Sequence, residues 1–409
     1  MQRHDLSRHL YLFVISLAAL LFSPLGYTAA FQFYELGTPI IGTAGVGQAV
    51  IASDASTAYF NPAGMAVLPT TEMMLGSQII LPYTNFSPNA SNTMTGNNGG
   101  NAGLLAPGIG GYYVYNISPK FKAGISLTSP YGGALNYNTH WVGRYIVQQM
   151  TLFTINLNPA LAYQATDWLS IGGGIAVEYA NLYQTNALRI TSALDGQISI
   201  KADDTSPGFN LGVLFTPTRS TKIGIAYRSQ IVHHLSGNIN FLNISDTPEV
   251  KTRMVMPANV IASISQAMNA NFTLLGEVGW ADWSSMRNEI VTIKNYTTTT
   301  PQNWKNTYRA GIGGQYQVSP VLLQAGASYD SSPTNTTYRT PNLPMDRQIR
   351  LGVGVGYAMN KAASLGLSYE YLNLGKAPIN DVSSTGTLAG NYSRNYANVV
   401  QASLNVEVT

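Results

Sequence analysis

The stretch Arg350-Leu351-Gly352-Val353-Gly354-Val355-Gly356-Tyr357-Ala358-Met359 decides the fold. Its large apolar side chains, Leu351, Val353, Val355 and Tyr357, fall at every second position, with Arg350 and the glycines in the alternate register. Successive side chains of a strand point to opposite faces, so this segment carries one wholly apolar face and one small, polar face. The next segment repeats the pattern, with Leu365, Leu367, Tyr369 and Tyr371 opposing Gly366, Ser368 and Glu370. Far upstream Phe121, Ala123, Ile125 and Leu127 oppose Lys122, Gly124, Ser126 and Thr128.

Segments of this kind span approximately 72–82, 108–117, 120–129, 148–165, 168–188, 207–216 and 221–242. The second half adds 250–267, 271–294, 304–317, 321–331, 346–359, 362–374 and 395–408, which makes fourteen. Short breaks, such as Ser118-Pro119, Thr166-Asp167, Pro217-Thr218, Asn269-Ala270, Ser319-Pro320 and Asn360-Lys361, alternate with long ones. The long breaks lie around 83–107, 130–147, 189–206, 243–249, 295–303, 332–345 and 375–394. An even strand count with tight turns at one end and long loops at the other predicts an all-β fold, a 14-stranded antiparallel transmembrane β-barrel of the bacterial outer membrane.

Composition agrees. The 409 residues hold 22 Lys+Arg and 19 Asp+Glu, a charged fraction of 10%, against about 25% in soluble domains. Outside the N-terminus no uncharged apolar run approaches the ~18–20 residues of a membrane helix. The 39 glycines and 25 tyrosines occupy the vacated positions. A net charge of +3 without a basic run excludes a nucleic-acid partner. The absence of cysteine excludes disulfides, zinc-thiolate sites and a cysteine nucleophile.

The N-terminus reads as an export signal over residues 1–29. Arg3 and Arg8 precede the apolar run from Leu10 to Phe22, Pro24 and Gly26 break it, and Thr28, Ala29 and Ala30 place cleavage between Thr28 and Phe31. Residues 30–71 differ from everything that follows. They carry Gly37, Gly42, Gly45 and Gly47, then Asn61-Pro62-Ala63-Gly64, in which Asn61 and Pro62 read as the cap and first residue of a short helix stopped by Pro69. A compact, partly helical segment ahead of the barrel of residues 72–409 is expected to fill the lumen as a hatch, or plug. A charge on the lipid face costs about 2–4 kcal/mol at mid-membrane. Lys122, Glu178, Arg228, Glu277, Arg309, Arg350 and Glu370 are therefore expected to face inward, while Trp168, Trp280, Trp283 and Tyr371 are expected at the membrane interfaces.

Several motifs together resemble the outer-membrane long-chain fatty-acid transporter family (FadL/TodX type). They are Ala30-Phe31-Gln32, Glu35-Leu36-Gly37, Asp54-Ala55, Asn61-Pro62-Ala63, Ser129-Pro130-Tyr131-Gly132 and Trp141-x-Gly-Arg144-Tyr145. Further along, Asn158-Pro159-Ala160, Asp167-Trp168, Tyr227-Arg228-Ser229, Tyr308-Arg309, Tyr329-Asp330-Ser331-Ser332-Pro333 and Leu343-Pro344-Met345-Asp346-Arg347 extend the likeness over the mature chain. The resemblance implies passive uptake of long-chain fatty acids or hydrophobic aromatics, through a groove among outer loops, a tighter pocket beside the hatch and a sideways exit through the wall. It also implies that Phe31 reaches the tight pocket and that Lys305, in Trp304-Lys305-x-x-Tyr308-Arg309, meets a carboxylate with Arg309 close by. Two departures stand out: a second pocket cation of the family falls on Asn186, with Arg189 out of register, and the chain ends Val406-Glu407-Val408-Thr409 without the usual terminal aromatic.

The expected partners are a long-chain fatty acid or neutral hydrophobic ligand, and outer-membrane lipid with lipopolysaccharide, around a monomer that needs no cofactor and no metal. A general porin for small polar solutes and a structural or adhesin barrel remain open. An outer-membrane hydrolase is disfavoured, since His140, His233 and His234 lack an ordered nucleophile motif.

Overall fold

The computed structural model describes residues 32–190, 194–241, 247–294, 296–383 and 386–408. The expected signal peptide and Phe31 lie outside the described residues. Thr71–Pro88 (β1), Ala106–Asn116 (β2), Phe121–Thr128 (β3), Gly132–Asn136 (β4), Gln149–Thr166 (β5), Leu169–Arg189 (β6) and Asp195–Phe215 (β7) open the sheet. Thr221–Arg228 (β8), Ile231–Phe241 (β9), Glu249–Met256 (β10), Asn259–Ala267 (β11), Phe272–Ala281 (β12), Asn288–Ile293 (β13) and Tyr296–Pro301 (β14) follow. Thr307–Val318 (β15), Val321–Asp330 (β16), Gln348–Ala358 (β17), Ala363–Asn373 (β18), Ile379–Ser383 (β19) and Gly386–Val408 (β20) complete it.

These strands form a single antiparallel sheet, and β20 pairs with β1 from Thr71↔Val408 to Pro88↔Gly390, which closes the barrel. Six crossings are built from two consecutive segments, β3/β4, β8/β9, β10/β11, β12/β13, β14/β15 and β18/β19, so the barrel has 14 strands. Short turns gather at one end and long connections at the other. Among the described residues no helix is long and apolar enough to cross a membrane.

Alternation sorts the faces as expected. Leu351, Val353, Val355 and Tyr357 are exposed to the lipid side, as are Phe121, Ile125, Leu127, Leu365 and Leu367. Lys122, Glu178, Arg228, Glu277, Arg309, Arg350 and Glu370 are all buried inside. Trp168 is exposed beside the β5–β6 turn, as an interfacial residue should be. Trp283 is not: it is buried, in a 3-10 turn Trp283–Met286, with its ring 5.4 Å from that of Trp304. The turn pulls it inward from the strand register on which the interfacial reading relied.

Several strand assignments are also corrected, since β4, β14 and β19 lie inside the expected long breaks 130–147, 295–303 and 375–394, where short extended segments pair with neighbouring strands. β7 begins at Asp195 and β20 at Gly386, well before the expected starts at 207 and 395. Their outer halves pair with β6 and β19, and with no lipid to face they do not need the apolar alternation that marks a bilayer strand; Leu388 and Tyr392 of β20 are buried instead against other parts of the molecule.

Residues 32–70 run through the interior. A 3-10 turn Pro39–Thr43 packs on β15–β18 and β20, while a helical turn Thr57–Phe60 and a 3-10 helix Pro62–Val67 pack on β2, β3, β5, β6 and β7. The wall is carved to receive this segment. A Cβ at Gly76 would land on the Gly37 carbonyl oxygen, and one at Gly224 on the Ala49 carbonyl oxygen. Several lumen-facing glycines, Gly326 and Gly352 among them, are likewise positions where a second backbone lies against the sheet, whereas Gly356 meets only Leu322 of the neighbouring strand.

Candidate functional site

The polar side chains of the N-terminal segment and of the wall form one connected network. Arg309 on β15 donates from Nε to Glu277 Oε1 at 2.9 Å, from Nη1 to Asp330 Oδ2 at 2.9 Å and from Nη2 to the Ala44 carbonyl at 2.8 Å. Arg350 on β17 donates to the same Asp330 oxygen at 2.6 Å, to Gln348 Oε1 at 2.6 Å and to Glu35 Oε1 at 3.2 Å. The ring of Tyr34 lies 4.3 Å from the Arg309 guanidinium and 4.9 Å from that of Arg350. Glu277 also accepts the backbone N–H groups of Gly47, at 2.9 Å, and Gln48, at 3.1 Å. Ions buried this deeply are tolerable only when paired and fully hydrogen-bonded, and here the segment supplies part of that pairing. Removing the segment would strand charges on the wall, which is why it is held.

Asn61-Pro62-Ala63-Gly64 forms the second anchor. The Asn61 side chain accepts the Ala63 N–H at 3.1 Å, capping the 3-10 helix as the sequence implies. Its amide donates to the Ala49 carbonyl at 2.6 Å and to the Val213 carbonyl of β7 at 3.1 Å. Gly64 faces Thr57, whose hydroxyl donates to the Asn61 carbonyl at 2.8 Å, and a Cβ there would collide with that hydroxyl oxygen.

A break in the wall lies beside the start of the segment. β2 pairs with β3 only from Gly111↔Leu127 to Asn116↔Lys122. After Thr128 the chain turns at Ser129-Pro130-Tyr131 and resumes as β4, which pairs with β5 and, through a bridge between Leu135 and Gly103, with the segment ahead of β2, but not with β2 itself. The outer part of β2, from Ala106 to Gly110, therefore pairs with β1 and has no ladder partner on its other side. Phe33 N–H donates to the Pro130 carbonyl at 2.8 Å, and Gln32 forms an antiparallel bridge with Tyr131. Proline at the bend cannot donate to a ladder, so the interruption is written into the sequence.

Two cavities flank this arrangement. An outer cleft is lined by apolar groups of Met150, Leu182, Met254, Val255, Met286, Trp304 and Leu343, with polar groups such as Gln184, Arg253 and Asn342 among them. A small inner one lies against Gln32-Phe33-Tyr34, with Tyr59, Phe60, Asn210, Arg228, Asn259 and Ile261 on its other sides.

The residues proposed from sequence fall in three places. Phe31 lies outside the described residues. Lys305 is exposed beside Trp304, its backbone N–H donating to the Pro333 carbonyl at 2.7 Å; Trp304, not Lys305, lines the outer cleft. Arg309 lines neither cavity, and all three of its nitrogens are engaged within the network, so its geometry is that of an anchor for the segment. Asn186 and Arg189 belong to an outer clasp: Arg189 stacks 4.7 Å from the Tyr145 ring, and Arg144 pairs with Asp195 at 2.8 Å. Partial burial works to raise the Asp195 carboxyl, but hydrogen bonds from Arg144 and Tyr145 outweigh it and hold the group below the ordinary Asp range. The family resemblance implied a groove among the outer loops, but the residues that line the outer cleft could not be picked out together, because they come from separate segments that share no periodicity. Among the histidines, His233 lies inside the wall between Asp204 at 3.0 Å and Glu178 at 3.3 Å, and the nearby Ser206 hydroxyl donates to the same Asp204 oxygen at 2.6 Å and to the Val232 carbonyl at 2.9 Å.

Such a molecule is an outer-membrane barrel with its N-terminal segment packed on the inner wall and an apolar cleft on its outer side. The chain belongs to the outer membrane protein transport protein family (OMPP1/FadL/TodX), whose model matches residues 19–408. It is similar to the long-chain fatty acid transport protein of Salmonella typhi, with 25% identity over 90% of this chain and 92% of that one. Its fold matches the crystal structure of a Pseudomonas aeruginosa FadL homologue at a TM-score of 0.86, with 21% identity over 92% of this chain and 99% of the other. The Ralstonia pickettii toluene transporter TbuX matches at a TM-score of 0.69, with 19% identity over 92% of this chain and 100% of the other.

Proposed function

We propose that the protein takes up hydrophobic molecules, most simply long-chain fatty acids, passively across the outer membrane and without chemistry on the ligand. The outer cleft carries this reading: an apolar, open-sided concavity above a filled lumen suits a ligand that leaves water readily and gives a polar solute no path. From the cleft the ligand would pass to the inner cavity beside Gln32-Phe33-Tyr34 and leave at the Ser129-Pro130-Tyr131 break, into the hydrocarbon of the bilayer. Movement of Gln32-Phe33-Tyr34 away from Pro130 would open that exit, with Phe31 at the tip of the moving part. Lys305, exposed beside Trp304, would draw a carboxylate toward the cleft, and Arg309 would keep the remainder of the segment seated.

Cells carrying the wild type, Leu182→Asp or Lys305→Ala test this with labelled oleate and labelled toluene. Leu182→Asp should lower uptake of both severalfold, whereas Lys305→Ala should lower only oleate uptake. Unchanged uptake in the correctly assembled Leu182→Asp barrel would remove the cleft from the route.

A further inference from the structure

We infer that the N-terminal segment is latched to the wall by a proton, shared between Glu35 of the segment and Glu370 of β18. The two carboxyl groups compete for one donor. Glu35 Oε1 lies 3.2 Å and Glu370 Oε1 3.6 Å from the same Arg350 Nε, a nitrogen with a single hydrogen. Glu35 accepts that hydrogen, and the other Arg350 nitrogens are turned to Asp330 and Gln348, each at 2.6 Å. Glu370 is 1% exposed, and its Oε1 has no hydrogen-bond partner among the described residues. Its cross-strand neighbours, Gly352 of β17 and Val399 of β20, bring no polar side chain to it.

The charge of the whole cluster points the same way. Two guanidiniums, Arg309 and Arg350, face four carboxyl groups, Glu35, Glu277, Asp330 and Glu370. Tyr34, the other titratable group against them, donates to Asp330 at 3.3 Å. Glu277 is satisfied as an ion by Arg309, Ser263 and the N–H groups of Gly47 and Gln48, and Asp330 by both arginines. The excess of negative charge therefore falls on Glu35 and Glu370. Two carboxylates in one buried site repel each other strongly, whereas a shared proton gives Glu370 an O–H that Glu35 accepts.

The consequence is a switch with two arrangements. With Glu370 neutral, Glu35 keeps Arg350 Nε and the segment stays seated. Once Glu370 ionises it takes that nitrogen, and Glu35 is released together with the adjoining Gln32-Phe33-Tyr34, which is bonded to Pro130 beside the wall break. The seated state holds one proton more than the released one. Rising pH therefore favours release, by up to about tenfold per pH unit above the ordinary Glu value of about 4.3.

The latch goes beyond the proposed uptake and is tested without a ligand. Val46→Cys gives the chain a single thiol at a buried position of the segment, so its reaction with a maleimide reports release. The labelling rate of the barrel in a non-ionic detergent is divided by that of the denatured chain at the same pH, which removes the thiol's own titration. Heat-shifted migration on a gel confirms folding of each variant. Between pH 5 and pH 8 the quotient should rise by about tenfold or more. Glu370→Gln, which cannot ionise, should hold it at the low-pH level throughout. Glu35→Gln leaves Arg350 to Glu370 and should hold it at the released level throughout, so either variant decides if the other does not assemble. A quotient that stays flat in the Val46→Cys chain, or that rises equally in either added variant, would overturn the latch. A rising quotient in a barrel that takes up neither oleate nor toluene would leave the latch standing and overturn the uptake reading.

Discussion

Single residues carry two different kinds of information in this chain. Mid-strand charges were legible at once, because a charge in an apolar alternation has only the lumen to face, and Arg228, Glu277, Arg309 and Arg350 are all found there. The glycines were legible only as members of the inner register. Their purpose appears once the segment is seen lying on them. Gly224→Val should therefore lift residues near Ala49 from the wall, at a cost of about 1–3 kcal/mol for overpacking. Small sugars should leak through the variant in a liposome-swelling assay. At Gly111 an added Cβ would meet only ordinary contact with Leu75, so Gly111→Ala should swell no faster than the wild type. Equal swelling rates for Gly224→Val and Gly111→Ala would show that the segment does not depend on that close approach.

At the scale of elements, the bilayer strands could be read from period two, and their polar extensions could not. Residues 195–206 of β7 carry Lys201, Asp203 and Asp204, and only Ile198, Ile200 and Ala202 alternate with them, a run too short and too charged to mark a bilayer strand. The bend at Ser129-Pro130-Tyr131 was visible only as the start of the long break at 130–147, and the short strand β4 that follows it was not. What it does to the wall required the pairing, since only the ladder shows that β4 has left β2. The chain has no cysteine of its own, so Gln32→Cys with Tyr131→Cys introduces a single possible disulfide across a bridged pair. The oxidised double variant should lose oleate uptake and a reductant should restore it; full uptake when oxidised would mean that this contact need not open. The outer clasp gives a pH dependence. Asp195 is held below its ordinary value, so its contribution is present above about pH 4 and is lost as pH falls through the lowered value. Protease digestion of the outer loops should quicken between pH 5 and pH 3, and Asp195→Asn should digest at the faster rate at both. A clasp loop equally resistant at both pH values in the wild type would remove Asp195 from the account.

For the whole molecule, the scarcity of charge turns out to describe two surfaces at once. The outward faces of 14 strands belong to lipid, and the lumen is filled by a segment that brings one buried carboxylate, Glu35, to the arginines of the wall. A lumen occupied in this way is the reason a porin-like passage is disfavoured and a sideways path for hydrophobic molecules is preferred. The measurement that bears on this most directly is paired uptake of labelled toluene or oleate and labelled arabinose by porin-deficient cells expressing the wild-type chain. The account predicts accumulation of the hydrophobic ligand with arabinose uptake at the level of cells lacking the protein. Free entry of arabinose without protein-dependent entry of either hydrophobic ligand would contradict it.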